Sequence, residues 1–355
     1  MNVFELLKVA FTMAIDYIWI YKMSKLSCPD YAERFKNPYL RDAIANHMAA
    51  DYNFMSFLYM YGHISGKDGG IPIGGSMPAV NRMKEKYLSL GGKLDSATEV
   101  DEVIVENDVA KGIILKNGET IYSDWVVATT PIEHTLKTLL KDKYHLKKID
   151  YRLEDEKTYP IYTYTTVVMK FNSEPKKNYI STKVRLSSPV TLDKDYFDIS
   201  FRNYGYDHTL KAPDGAHVVQ ATITSNDDMF YWWDKVKKDG SYLKQKRKLA
   251  DRILQITKNT FPDIANDIEV IDIVTPCTYQ RYLNSRHGSF QGFVNTSKGK
   301  RLMQKGVIKG LKNFILGGQC LIQSGGLPTA VMTGRFSAQR ICEADKKKFT
   351  PPKIK

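Results

Sequence analysis

Cysteine is scarce in this chain of 355 residues: Cys28, Cys277, Cys320 and Cys342 stand far apart and never at CxxC spacing. Neither a zinc knuckle nor a redox dithiol is encoded, and the thiols are expected to be reduced in a cytoplasmic protein. The seven histidines, His47, His63, His134, His145, His208, His217 and His287, never fall at HxxxH spacing, so no metal is expected. No uncharged apolar run reaches the roughly 18 to 20 residues that cross a bilayer. The most apolar segment, Val3 to Ile20, is interrupted by Glu5, Lys8 and Asp16. Its start lacks net positive charge and no small-residue cleavage site follows, so a secretion signal is not expected either. A buried or interfacial helix fits that segment. Negative charge is the scarcer sign: 39 Asp and Glu face 52 Lys and Arg, leaving +13. That balance favours anionic partners, whether phosphorylated cofactor, lipid headgroups or nucleic acid, without choosing among them.

What is present is ordinary globular composition, 43% hydrophobic and 26% charged, enough for one large or two interlocked domains. Residues 1–65 read as helical, with a run from Leu40 to Tyr61 crowded with Met48, Met55, Met60, Phe54, Phe57 and Tyr59. Such a surface suits a core or interface helix, or the wall of a pocket for a long apolar ligand. Gly69 to Ser76 is a glycine-rich loop feeding an amphipathic helix, Met77 to Leu90. Strand signals follow over Ala97–Val105, Val109–Leu115 and Thr120–Ala128, the last running from Asp124 through a continuous apolar stretch to a polar stop at Thr129-Thr130-Pro131, which predicts a strand buried on both faces.

From 132 to 275 the pattern changes to alternating stretches, Ile161–Phe171, Asp195–Phe201 and His217–Thr224, with a long basic amphipathic helix from Tyr242 to Phe261. These read as a separate α+β domain inserted into the first. Lys244 to Lys248 is a basic run, but Leu243, Leu249, Ile253, Leu254 and Ile256 supply an opposing apolar face. Solvated charge explains the run, and no nucleic acid is expected. Near the end, Asn313 to Gln319 is a short apolar strand ending in glycine, and Ser324-Gly325-Gly326-Leu327 leads into a helix. Gly325 and Gly326 put no side chain between the backbone and a ligand, beside the positive end of that helix. A reduced flavin ring would be stabilised there.

Four segments, GGIPIGGSMPAVNRMKEKYLSLGGKL (69–94), TEVDEVIVENDVAKGIILKNGETIYSDWVVATTP (98–131), TPCTYQRYLNSRHGSFQGF (275–293) and NFILGGQCLIQSGGLPTAVMTGRFSAQRI (313–341), occur in this order. Together they resemble the phytoene desaturase and carotenoid isomerase-like FAD-dependent oxidoreductases, a family that includes retinol saturases. The resemblance implies an α/β fold with an α+β insertion: an incomplete glutathione-reductase-type FAD-binding domain plus an inserted substrate domain. The implied division is 1–65 a helical substrate or lid region, 66–131 and 276–345 the two parts of the FAD-binding domain, 132–275 the insertion, and 346–355 a basic tail. It further implies that Val100 meets the adenine, that Thr129 and Thr130 lie near the adenosine half, and that Gly318 and Gln319 stand by the ribityl and pyrophosphate. Gly325, Gly326 and Leu327 would face the isoalloxazine, with Ala330 in the first turn of the helix that follows. Gln319 stands where many flavoproteins place an acidic residue.

The departure from the family is at the front. GxGxxG, which should open such a fold with a ribose-binding acidic residue about 20 positions later, occurs nowhere in the chain. Either a preceding segment of a longer protein or a separate chain is expected to supply that unit, and this chain alone is expected to be colourless or weakly yellow.

The function expected is flavin-dependent hydride transfer on a long apolar polyene or isoprenoid, for which few acid or base side chains are needed. The alternative is a non-catalytic remnant or subunit that depends on a partner. A peripheral membrane surface is a further expected contact, from +13 and the amphipathic start. No catalytic residue is assigned. Arg281, Arg286 and His287 lie where the second domain rejoins the first, and structural ion pairs are the role expected of them.

Overall fold

The computed structural model describes residues 14, 16–49, 51–67, 69–174, 180–210, 212, 214–323 and 325–351. Most of the apolar segment Val3 to Ile20, together with Ser324 and the last residues of the basic tail, lies outside them. Residues 16–24 are helical, and Tyr17, Trp19 and Tyr21 are exposed.

The architecture is mixed α/β. Strands β1 (Val100–Glu106), β2 (Val109–Leu115) and β3 (Thr120–Tyr122) form an antiparallel sheet in that order. Asn107 and Asp108 both take left-handed backbone, φ 49° and 60°. Asn and Asp tolerate that region, and such a pair closes a tight hairpin whose twist suits the strands it joins.

Strand β4 (Val126–Ala128) leaves this sheet. The next five strands, β5 (Thr163–Phe171), β6 (Ser181–Thr191), β7 (Asp195–Asn203), β8 (His217–Ser225) and β9 (Glu269–Val274), make an antiparallel sheet in the order β6-β7-β8-β5-β9. Alternate residues of the central strands, Val167, Met169 and Phe171 on β5 with Val219, Ala221 and Ile223 on β8, are buried on one face. Two helices, 228–238 and 242–260, cover that face with Trp233, Leu249 and Ile253. Trp233 Nε1 donates to Thr165 Oγ1 at 2.8 Å, so the indole is fully buried without an orphaned donor.

Strand β10 (Phe314–Leu316) then pairs in parallel with β4, Phe314 opposite Val126 and Leu316 opposite Ala128. Behind this pair lies a second core of Val126, Ala128, Leu136, Leu302, Ile308 and Phe314. A smaller cluster of Met23, Cys28, Ala32, Ile44 and Phe54 belongs to the N-terminal helices. It is tied to the body by Asn53 N–H donating to Asn295 O at 2.8 Å and Tyr162 Oη donating to Asp51 Oδ2 at 2.5 Å.

Several expectations are corrected. Leu40 to Tyr61 is two helices, Pro38–Ala45 and Phe54–Ser65. The second starts afresh because the Asn53 side chain accepts from Ser56 N–H at 3.1 Å, an N-cap that stops the chain from running through. Thr120 to Ala128 is likewise not one strand, and β4 is not buried on both faces: Val126 and Ala128 are, but Val127 is 41% exposed. Apolarity marked the strand, yet that face is only partly covered by the described residues. Leu243 is exposed rather than on the buried stripe of its helix. Strand β6 gave no signal, because only one of its residues, Val190, is buried.

Candidate flavin site at the strand ends

In a parallel sheet ligands bind beyond the carboxyl ends of the strands, and here those ends are Ala128 and Leu316. From β4 the chain passes through Thr129, Thr130 and Pro131 into a helical stretch, 132–139. Thr130 Oγ1 lies 2.7 Å from Thr135 Oγ1, which holds this exit in place. From β10 it passes through Gly317 and Gly318. Gly318 has φ +91°, and a Cβ there would stand 2.9 Å from Thr129 O. Only glycine allows the two exits to approach so closely. Gly318 N–H donates to Thr333 Oγ1 at 3.1 Å, anchoring the exit to the last helix, Gly326–Ala344.

A cavity of about 370 Å³ opens at these ends, with Thr129, Thr130, Gln319 and Cys320 on the strand side and Ile132, Ile149, Phe290 and Phe293 among its apolar walls. Phe290 is stacked on Tyr164, ring centroids 4.2 Å apart and 9° from parallel. Gln291 Nε2 donates to Tyr52 Oη at 2.7 Å, and burial pushes that phenol up to about 12. Burial likewise raises the Cys320 thiol. The walls are therefore uncharged on this side and cross-braced.

The structure brings Thr129, Thr130 and Gln319 together in one wall, with Gly318 directly behind Thr129. Gly325, φ +72°, lines an adjoining small cavity that shares Gln319 and Cys320 with the larger one. Gly326, Leu327 and Ala330 are not in either wall, and Leu327 is half exposed. Val100 packs against the core behind β4. Gln319 is occupied at both ends of its amide: Nε2 donates to Phe290 O at 3.1 Å and Oε1 accepts from Gly326 N–H at 2.8 Å.

No site role was expected from the sequence for Glu133, nor for Asn284, Ser285 and residues 290–293 within the 275–293 segment, all of which line the cavity. One signal was there. Gly288 in NSRHG has φ +67°, and a Cβ would stand 2.1 Å from Pro276 O, so this glycine is needed to fold the turn back on the helix Pro276–Leu283. Beside it Arg286 reaches Glu133 at 3.9 Å and is paired with Glu156. His287 Nδ1 lies 3.4 Å from Asp227 Oδ2. The His287 partner holds the Asp227 carboxyl below its usual range, against the opposing effect of burial. Arg281 lies over the Tyr282 ring at 4.6 Å.

As a test of fit for a flavin dinucleotide, 370 Å³ is at the small end of the roughly 300 to 1,000 Å³ that ligand pockets span. It has room for one half of such a molecule. Bare main chain at Gly292, where a Cβ would meet only Cys320 Cβ at 4.0 Å, leaves the wall flat enough for a ring. The residues fit that half. Among the described residues no helix is long and apolar enough to cross a membrane.

The chain is 26% identical over 234 residues to a chloroplastic prolycopene isomerase from Daucus carota, covering 62% of this chain and 36% of that one. It is 20% identical over 348 residues to the 4,4'-diaponeurosporene oxygenase of Staphylococcus aureus strain MRSA252, covering 92% of this chain and 66% of that one. The chain thus spans between about a third and two thirds of these curated relatives. A solved oxidoreductase from Methanosarcina mazei shares the fold, with TM-score 0.59 at 14% identity over 96% of this chain and 73% of its own. The family described as flavin containing amine oxidoreductase matches residues 24–342, a span holding both strand exits and the cavity. FAD is the cofactor that goes with that membership. This chain belongs to the flavin-containing amine oxidoreductase family.

Proposed function

We propose that the chain is a flavin-dependent oxidoreductase, or the major part of one, acting by hydride transfer on a long apolar polyene or isoprenoid-like substrate. The carrying observation is the cavity beyond β4 and β10, where a family member's cofactor has a place at the strand ends. When bound, FAD supplies the hydride donor or acceptor. Gly325, Gly326 and Leu327 would face the isoalloxazine beside the positive end of the last helix, with Ala330 in its first turn, while Gly318 and Gln319 would stand by the ribityl and pyrophosphate, Thr129 and Thr130 near the adenosine half and Val100 at the adenine. The apolar walls keep water out and orient the reacting carbon. The substrate class rests on the relatives' names, a prolycopene isomerase and a diaponeurosporene oxygenase, and on exposed Tyr59, Met77, Met83 and Tyr87 on the helices Phe54–Ser65 and Ser76–Ser89.

A second reading, a chain that needs its dinucleotide-binding unit from elsewhere, is favoured by exposed Val127 and by the free edge of β4, which no described strand pairs. Exposed Tyr17, Trp19 and Tyr21 with the net charge of +13 favour contact with a membrane surface; liposome sedimentation that finds the protein unbound at low salt overturns that contact.

The central test is titration of FAD into the purified chain, read by flavin fluorescence, with wild type beside Gly292→Leu. Leucine at this open position fills the cavity without a forbidden backbone angle. Saturable wild-type binding, weakened at least about tenfold in the variant, supports the reading. Equal binding by both removes the cavity assignment. Binding that appears only when a separate dinucleotide-binding unit is added supports the second reading.

A further inference from the structure

We propose that the substrate carries a hydroxyl group, received between Glu133 and Ser285 where a second cavity adjoins the flavin cavity. This rests on the flavin reading and narrows its substrate from a bare hydrocarbon to an apolar chain bearing an alcohol. The second cavity, about 240 Å³, is lined by Glu133, Asn284, Ser285, Arg286 and His287, among others. Glu133, Asn284 and Ser285 also line the strand-end cavity, so they form the wall that the two spaces share.

That shared wall holds two polar atoms with nothing to bond. Ser285 is 7% exposed, and its Oγ is buried without a hydrogen-bond partner, as is Glu133 Oε2. Ser285 stands in the N-cap position of a short turn, yet its side chain makes no cap bond there. Glu133 Oε1 is engaged by Lys137 Nζ at 3.0 Å, whereas Oε2 has only Arg286 Nε at 3.9 Å, beyond hydrogen-bond reach. Buried orphans of this kind are uncommon in native proteins, and two in one cavity wall point to a ligand group that completes them.

The donor and acceptor inventory selects the group. A hydroxyl donates one bond and accepts others, so it serves the carboxylate oxygen and the serine hydroxyl together. A ligand carboxylate has no proton to offer Glu133 and brings like charge beside it, while Arg286 and Lys137 are already committed to Glu133 and Glu156. A pure hydrocarbon leaves both protein atoms unmatched.

The test is calorimetric titration of the full chain in dilute detergent, with FAD present. The probes are geranylgeraniol and the hydrocarbon of the same chain, offered to wild type, Ser285→Ala and Glu133→Leu. Because Ser285 Oγ bonds to nothing, Ser285→Ala keeps its fold, which circular dichroism checks. Wild type is expected to bind the alcohol about tenfold more tightly than the hydrocarbon, as loss of one or two hydrogen bonds predicts, and each variant to shrink that ratio towards one. Equal wild-type affinities, a ratio that survives both substitutions, or binding of neither probe overturns the proposal. Flavin titration of the same samples separates the two claims: normal FAD binding with equal affinities sinks only the hydroxyl, and FAD binding that fails even with a dinucleotide-binding unit supplied sinks the flavin reading.

Discussion

The side chain of Gln319 holds the backbone of Gly326, its Oε1 accepting the Gly326 N–H at 2.8 Å while its Nε2 donates to Phe290 O at 3.1 Å. One neutral amide thus ties the β10 exit, the start of the last helix and the aromatic wall of the cavity into a single unit. A carboxylate at this position would accept from Gly326 but could give nothing to Phe290. That accounts for an amide where many flavoproteins have an acid.

Replacing Gln319 by alanine removes both bonds and leaves a part-buried N–H and C=O to find other partners. At about 0.5 to 1.5 kcal/mol for each bond, the loss should be about 1 to 3 kcal/mol. Urea unfolding checks it: the midpoint falls with an unchanged slope. Gln319→Glu should keep the Gly326 half of the loss from occurring.

Arg152 is 0% exposed and has no carboxylate partner among the described residues. Its Nη1 donates to Lys148 O at 2.5 Å and its Nη2 to Lys300 O at 2.6 Å, and the guanidinium lies 4.7 and 4.6 Å from the Tyr151 and Tyr159 ring centres. The carbonyls and rings replace the water that a buried cation gives up. Arg152→Met fits the space but orphans the Lys300 carbonyl and gives up both ring contacts, and about 2 kcal/mol or more should be lost. Arg152→Lys restores the charge without the fork and recovers only part. A thermal melt within about 1 kcal/mol of wild type for the methionine variant would contradict this account.

The Asp227 carboxyl has its folded-state value held low, chiefly by His287. A carboxyl whose folded value lies below its unfolded value, about 3.9, contributes stability that is present above the unfolded value and lost as pH falls through the folded one. Asp227→Asn should therefore be less stable than wild type at neutral pH, with the gap closing as the solution is taken below about pH 4. Urea midpoints measured across that range decide it, and a gap that stays constant or widens in acid removes the His287 pairing from the explanation.

Much of the framework could be read from the chain because it rests on local rules. Period-two alternation placed β5, β7 and β8, and the strand signals ending at Val105 and resuming at Val109 placed the first hairpin, turned at Asn107 and Asp108. Glycines at strand ends located one wall of the cavity. The rest depended on tertiary partners. Strand β6 has too little buried surface to alternate visibly, and the break at Asn46–Asn53 is made by a cap and by a long-range bond to Asn295. Glu133 and Ser285 are unremarkable in sequence. Their importance arises only when the 284–288 turn, bent by left-handed Asn284, His287 and Gly288, is folded against the 132–139 stretch.

The two sheets also differ at their rims. Strand β6 carries exposed Lys183 and Arg185, and β9 carries exposed Glu269 and Asp272, charges that discourage an extra strand from adding to the five-stranded sheet. The short parallel pair has no such guard, since Val126, Val127 and Ala128 are all apolar and one of them faces outward. In concentrated solution, strand-to-strand sticking of one molecule to another is therefore directed to β4, and a single lysine at position 127 should be an economical way to discourage it.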